Sequence, residues 1–231
     1  MHQLLIFWLF CSKIFHKLSE YIFPKMLSLL LAATGPWFQP LVWMDYRLSV
    51  LLTVSIPLVV LIWAVVEKAD AIVRLSMIYW RVASLLTITL YLMMAAVPVS
   101  FVSSVIGRAL IPASLWFWAD LNEEIADRPQ SPLKLAFTAW RWAITVYSGL
   151  GAIAQIPFLT CAFKSQNQVI DEPFCRIWLD PPWLYKQMFH ATSTPTFLGF
   201  LAMAGLGIYV VYLSYFVLIR LGKQGRSATG Q

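Results

Sequence analysis

The stretch Leu75–Ala119, LSMIYWRVASLLTITLYLMMAAVPVSFVSSVIGRALIPASLWFWA, carries only two formal charges, Arg81 and Arg108. As a single helix it would extend roughly 67 Å at ~1.5 Å per residue, more than twice the ~30 Å hydrocarbon layer of a bilayer. The segment must therefore double back, and Pro98, near its middle in Ala96-Val97-Pro98-Val99-Ser100, is where the helix is most easily broken. The reading is a tight hairpin of two membrane crossings, Leu75–Ala96 and Val99–Ala119, with the other apolar runs around it.

Composition agrees. Hydrophobic residues make up 60% of the 231-residue chain and charged residues 12%, against about 25% charged in an average soluble domain. Mean hydropathy is +0.71. Eleven Trp, nine Tyr and fifteen Phe suit a membrane protein, because amphipathic rings anchor at the headgroup level. The net charge of +6 is not gathered into a basic run; the cations flank apolar segments, the pattern of orientation signals or of anionic-lipid attraction. Nucleic-acid binding is excluded on that pattern.

Working outward, Leu48–Val66 is a charge-free run bounded by Asp45 and Arg47 on one side and Glu67 and Lys68 on the other, with Pro57 inside it. Leu135–Leu159 and Thr196–Leu221 are two further crossings. The fold class is all-α, an integral membrane bundle of five transmembrane helices, with four as the alternative. Residues 1–43 are a separate segment ahead of the single transmembrane domain 44–231. There Leu4, Phe7, Trp8, Cys11, Phe15, Leu18 and Ile22 recur at helical spacing, opposite Lys13, His16, Lys17 and Glu20, which describes an amphipathic helix lying in the interface. A translation start at Met26 or Met44 is the other reading of that segment. Gly35-Pro36 and Pro40 are expected to break any helix before the first crossing.

An internal echo supports five. Ile78-Tyr79-Trp80-Arg81-Val82-Ala83 resembles Thr138-Ala139-Trp140-Arg141-Trp142-Ala143. A Trp-Arg pair at the start of a crossing lets indole anchor and guanidinium snorkel. Both pairs face the same side only if the number of crossings is five. That side then collects Lys68, Arg74, Arg81, Arg128, Lys134, Arg141, Arg220, Lys223 and Arg226, so it is expected to be cytoplasmic with the C-terminus. The loop 160–195 is expected on the periplasmic or lumenal side.

Oxidation is permitted there, so Cys161 and Cys175 are read as a disulfide pinning the loop, with two free thiols as the alternative. Asp120, Glu123, Glu124 and Asp127 are spaced i, i+3, i+4, i+7, one face of a helix continuing out of the membrane. They are weak candidates for Mg²⁺ on a diphosphate, or else a solvated or ion-paired turn, or a docking surface. Arg108 is the costliest charge; it lines a ligand or transport path, or a tilted packing lets it snorkel outward. His190 is either a loop histidine hydrogen-bonded at the interface or a single axial ligand to a chlorophyll. No catalytic set, phosphate loop or dinucleotide fingerprint is present. Gly199, Gly205 and Gly207 read as close helix packing.

The strings IYWRVASL (78–85), SLWFWADLNEEI (114–125), AWRWAITVYSGLGAI (139–153), PFCRIWLDPPWLYKQMFHA (173–191) and LGKQGRSATG (221–230) resemble an uncharacterised multi-pass membrane protein family of cyanobacteria, carried as a domain of unknown function. The resemblance covers roughly Trp43–Gln231. It implies a plasma or thylakoid membrane of an oxygenic phototroph and brings no catalytic residues. The leading expectation is a non-enzymatic accessory or assembly factor of a photosynthetic membrane complex, in contact with the lipid bilayer and other membrane subunits. A small oligomeric transporter or channel is the alternative, and a Mg-dependent membrane enzyme using residues 120–127 the third.

Overall fold

The computed structural model describes residues 38–220. The amphipathic helix expected before them, with Cys11, and the tail after Arg220 lie outside the described residues. Contacts divide the chain between Leu41 and Val42, and the bundle is the unit that begins at Val42. Among the described residues all regular structure is helical. Five helices are long and apolar enough to cross a membrane: α1 (Gln39–Val66), α2 (Asp70–Met94), α3 (Val99–Trp116), α5 (Pro132–Phe163) and α9 (Pro195–Ile219). Between them lie the short α4 (Ala119–Asp127), α6 (Gln166–Asp171), α7 (Pro173–Arg176) and α8 (Asp180–Phe189).

Boundaries differ from expectation for identifiable reasons. Pro40 does not break α1; it sits in the first turn, where its missing N–H costs nothing, and the helix starts at Gln39. Asp45 and Arg47 therefore lie inside α1 instead of flanking it. The acidic residues do not continue α3. The chain breaks at Trp118, which adopts an extended conformation, and α4 starts afresh. Loop 160–195, read as a polar link, contains α6, α7 and α8.

Pro57 is accommodated by a π-helical turn over Val50–Ser55 just before it. Such a turn, and a proline, leave carbonyls without their intrahelical donors, and in hydrocarbon these must be satisfied from elsewhere. Tyr79 Oη donates to the Thr53 carbonyl at 2.7 Å, and Trp140 Nε1 donates to the Leu52 carbonyl at 2.8 Å. The two rings meet edge to face, centroids 4.9 Å apart. The echoed motifs thus converge on one defect in α1.

α2 and α3 form the hairpin, turning at Ala95–Pro98. Ala96 takes φ 53°, and Val97 N–H returns to the Leu92 carbonyl at 3.0 Å. This is a Schellman-type close made without the usual glycine. Lys68 closes α1 the same way, with φ 53° and Ala69 N–H on the Ala64 carbonyl at 2.9 Å. α3 packs on α5, α1 on α2 and α5, and α9 chiefly on α2. At the α9–α2 crossing Gly199 is required: a Cβ there would lie 2.6 Å from the Ala95 Cβ.

The core has two halves of different chemistry. Toward α4 it is mainly apolar and aromatic, built from Ile72, Leu75, Tyr79, Ile111, Leu115 and Phe137 with their neighbours, and the polar Ser76, Ser114 and Arg141 are buried there too. Toward the α2–α3 turn it is polar: Thr89, Ser100, Ser103, Ser104, Arg108, Ser148 and Gln155 are all buried.

That polar half is roofed by the α6–α8 segment. Cys161 and Cys175 are joined, with Cα atoms 5.9 Å apart. Lys164 pairs with Glu172, and Ser165 with Gln168 forms a capping box on α6. The roof satisfies the open end of α2, since Gln166 Nε2 donates to the Ala95 carbonyl at 2.7 Å and Trp183 Nε1 to the Met94 carbonyl at 3.2 Å. In α8, burial raises the Asp180 carboxyl above the usual range, and the neighbouring Arg176 acts against it. Reduction of the Cys161–Cys175 bond is expected to cost about 3 kcal/mol for a loop of this length. A thermal-unfolding midpoint unmoved by reductant would contradict it.

Candidate functional site

The polar half is organised by Arg108, near the middle of the 18-residue α3. Arg108 does not snorkel outward. Its side chain is 7% exposed and paired with Asp45 of α1, itself 18% exposed. The pairing is a two-pronged fork: Nη1 donates to Asp45 Oδ1 at 2.9 Å, and Nη2 donates to Oδ2, the geometry that guanidinium and carboxylate favour. Tyr147 of α5 donates its hydroxyl to Asp45, Oδ1 and the backbone carbonyl both at 2.8 Å. The Tyr147 ring lies 5.4 Å from Arg108 Cζ.

Space for the guanidinium comes from Gly151 of α5. A Cβ there would overlap Arg108 Nη1. One turn nearer the hairpin, Ser104 Oγ donates to Gln155 Oε1 at 2.8 Å, and Thr89 and Ser103 hydroxyls meet at 2.9 Å. Pairs 104/155 and 108/151 share one antiparallel register between α3 and α5. Tyr46, next to Asp45, donates to the Trp178 carbonyl in the roof at 3.2 Å. Charge, register and roof are thereby tied together.

The other sequence-singled residues are dispersed. Arg141 is buried under the α3–α4 corner, donating to Asn122 Oδ1 at 2.5 Å, with its guanidinium 4.1 Å from the Trp116 ring. Arg81 is exposed on α2. The acidic residues of α4 line an open groove with Lys68, Asp70 and Arg128. Glu124 pairs with Arg74 at 3.2 Å, and Arg128 lies 3.9 Å from Glu67. Lys134 Nζ caps the end of α4 through the Ala126 and Arg128 carbonyls, both at 2.7 Å. Among the described residues no three His, Cys, Asp or Glu side chains converge as a metal site. His190 Nε2 and Tyr91 Oη are 2.9 Å apart, so one ring nitrogen is already engaged.

A family model described as a protein of unknown function, DUF3177, matches residues 39–229. The chain belongs to the DUF3177 family. No curated protein and no solved structure matches it. The DUF3177 match begins at Gln39, the first residue of α1, four positions ahead of Trp43, where the sequence resemblance started. All residues of the Asp45–Arg108–Tyr147 cluster lie inside it. Asp45 is not singled out by the sequence because a hydropathy reading ends a crossing at its first charge. The available signal was complementarity: one cation well inside α3, and one acid, Asp45, at the start of the first crossing, on the same side as the α2–α3 hairpin.

Proposed function

We propose that this DUF3177 protein is a non-enzymatic accessory or assembly subunit of a larger, photosynthetic membrane complex in a cyanobacterial plasma or thylakoid membrane. α4 and the C-terminal tail then face the cytoplasm, and the disulfide roof faces periplasm or lumen. The observation that carries this reading is α9. It packs chiefly on α2, with Phe216 against Trp118, and leaves much of its length outward, with Ile208 73% and Val211 71% exposed. Ala204, Gly207, Val211 and Tyr215 form a shallow apolar trough on that outer side, a surface shaped for another helix. The acidic groove of α4 adds a docking face in the aqueous phase. A transport path through Arg108 is disfavoured because Asp45 already neutralises it inside the bundle.

The test is a native gel of gently solubilised membranes carrying a tag after Gln231, read by absorbance. The tagged protein is expected to migrate with a larger, pigmented band. Gly207→Phe is expected to release it, because a Cβ at Gly207 meets nothing within 4 Å in its own bundle, so bulk there obstructs only a neighbour. Migration alone as a small colourless oligomer would remove the accessory reading.

A further inference from the structure

Arg81 lies near the middle of the 25-residue α2 and is exposed. Its face of the helix continues through exposed Met77 and Ser84, and back to Arg74. Arg74 is held by Glu124 of α4, Arg108 by Asp45, Arg128 by Glu67, and Arg141 by Asn122 and Trp116. Arg81 has no such partner among the described residues; only its backbone carbonyl is engaged, by Ser84 Oγ at 2.7 Å. A guanidinium on the lipid-facing side of a crossing is costly unless it meets an anion or water.

The depth selects the anion. Arg81 is two helical turns, roughly 10 Å, from Arg74 at the α4 end, and an arginine side chain directed along the helix shortens that distance further by snorkelling. The group waiting at that level is a lipid headgroup, and the planar fork of arginine matches phosphate oxygens. Met77, 48% exposed, lies one turn nearer the α4 end, beside the path along which the guanidinium extends.

We propose that Arg81 is an anionic-lipid site: its guanidinium binds the phosphate of an acidic phospholipid in the leaflet on the α4 side. The site is independent of the complex inferred above.

The experiment is native mass spectrometry of the full chain taken from bilayers containing equal amounts of phosphatidylglycerol and phosphatidylcholine. Preferential retention of phosphatidylglycerol is expected, falling about fivefold in Arg81→Leu, the loss of one arginine contact near the surface. Arg81→Lys should keep part of it, and Arg74→Gln most of it. Arg81→Gln, checked for an unchanged unfolding midpoint, serves if the leucine variant fails to accumulate. Equal retention of the two lipids, or phosphatidylglycerol retention unchanged without Arg81, overturns the proposal. So does unchanged lipid binding coupled with loss of a protein partner, which would assign Arg81 to a carboxylate in a neighbouring crossing.

Discussion

Asp45→Asn is expected to destabilise the bundle by about 3–5 kcal/mol, the cost of leaving a buried cation without its counter-charge. The substitution is nearly isosteric and keeps one acceptor oxygen for Tyr147, so shape is preserved and charge alone is removed. Arg108 is then held in a site 7% open, with Gly151 and the Tyr147 ring fixing its position. Thermal unfolding of the purified chain in mild detergent reads the loss. The decisive comparison is the double variant Asp45→Asn with Arg108→Met, which removes both charges and should recover most of the stability; coupling of this kind is what a double-mutant cycle measures. Tyr147→Phe, which deletes one hydrogen bond to the pair, should cost about 1 kcal/mol. An Asp45→Asn midpoint equal to that of the parent chain would show that the pair does not hold α1 to α3.

The second large effect is steric. Gly151→Ala places a methyl group where Arg108 Nη1 now sits, and the guanidinium is anchored on its far side by Asp45, so it has no free direction to retreat. Overpacking in a well-filled core costs about 1–3 kcal/mol, and here displacement also opens the ion pair, so the loss should approach that of Asp45→Asn. In the Asp45→Asn/Arg108→Met background the flexible methionine can yield, and Gly151→Ala should become close to neutral. If the alanine is as harmful there as in the parent, the damage lies in α5 itself and not in the α3–α5 contact.

How much of this was readable beforehand depends on the range of the interaction. The five long helices, and the hairpin reversal at Pro98, follow from hydropathy and from proline's local geometry, which act over a few residues. The ends of the helices were less legible. Arg47 and Asp45 are charged, and a hydropathy reading stops a crossing at its first charge; yet a 28-residue helix of about 42 Å overshoots the hydrocarbon and can carry both. The partners of the charges were illegible for a different reason. Arg108 finds Asp45 across 63 positions of chain, and Arg74 finds Glu124 across 50. No local spacing encodes such a pairing. The α4 acids show the same limit: their i, i+3, i+4, i+7 spacing marks a helical face, but Trp118, not the spacing, decides where that helix starts. The Trp-Arg echo was visible, and the work of Tyr79 and Trp140 in satisfying α1 was not, since the π-turn that needs them has no sequence signature beyond Pro57.

The division of the core into an apolar half and a polar half sets an order for the birth of the protein. Of the five crossings a chain leaving the ribosome presents α1 first, so the Asp45 carboxylate waits at the rim of the bilayer before Arg108 is available. The α2–α3 hairpin then delivers Arg108, whose entry alone would cost about 2.5–3.5 kcal/mol and is eased by the acid already in place. Until α5 arrives with Tyr147 and Gly151, that charge pair stands open to lipid on one flank. A translocon that let α3 diffuse away before α5 emerged would strand it. The polar half therefore obliges the first four crossings to be released together, while α9, which carries no member of the cluster, can leave at its own time.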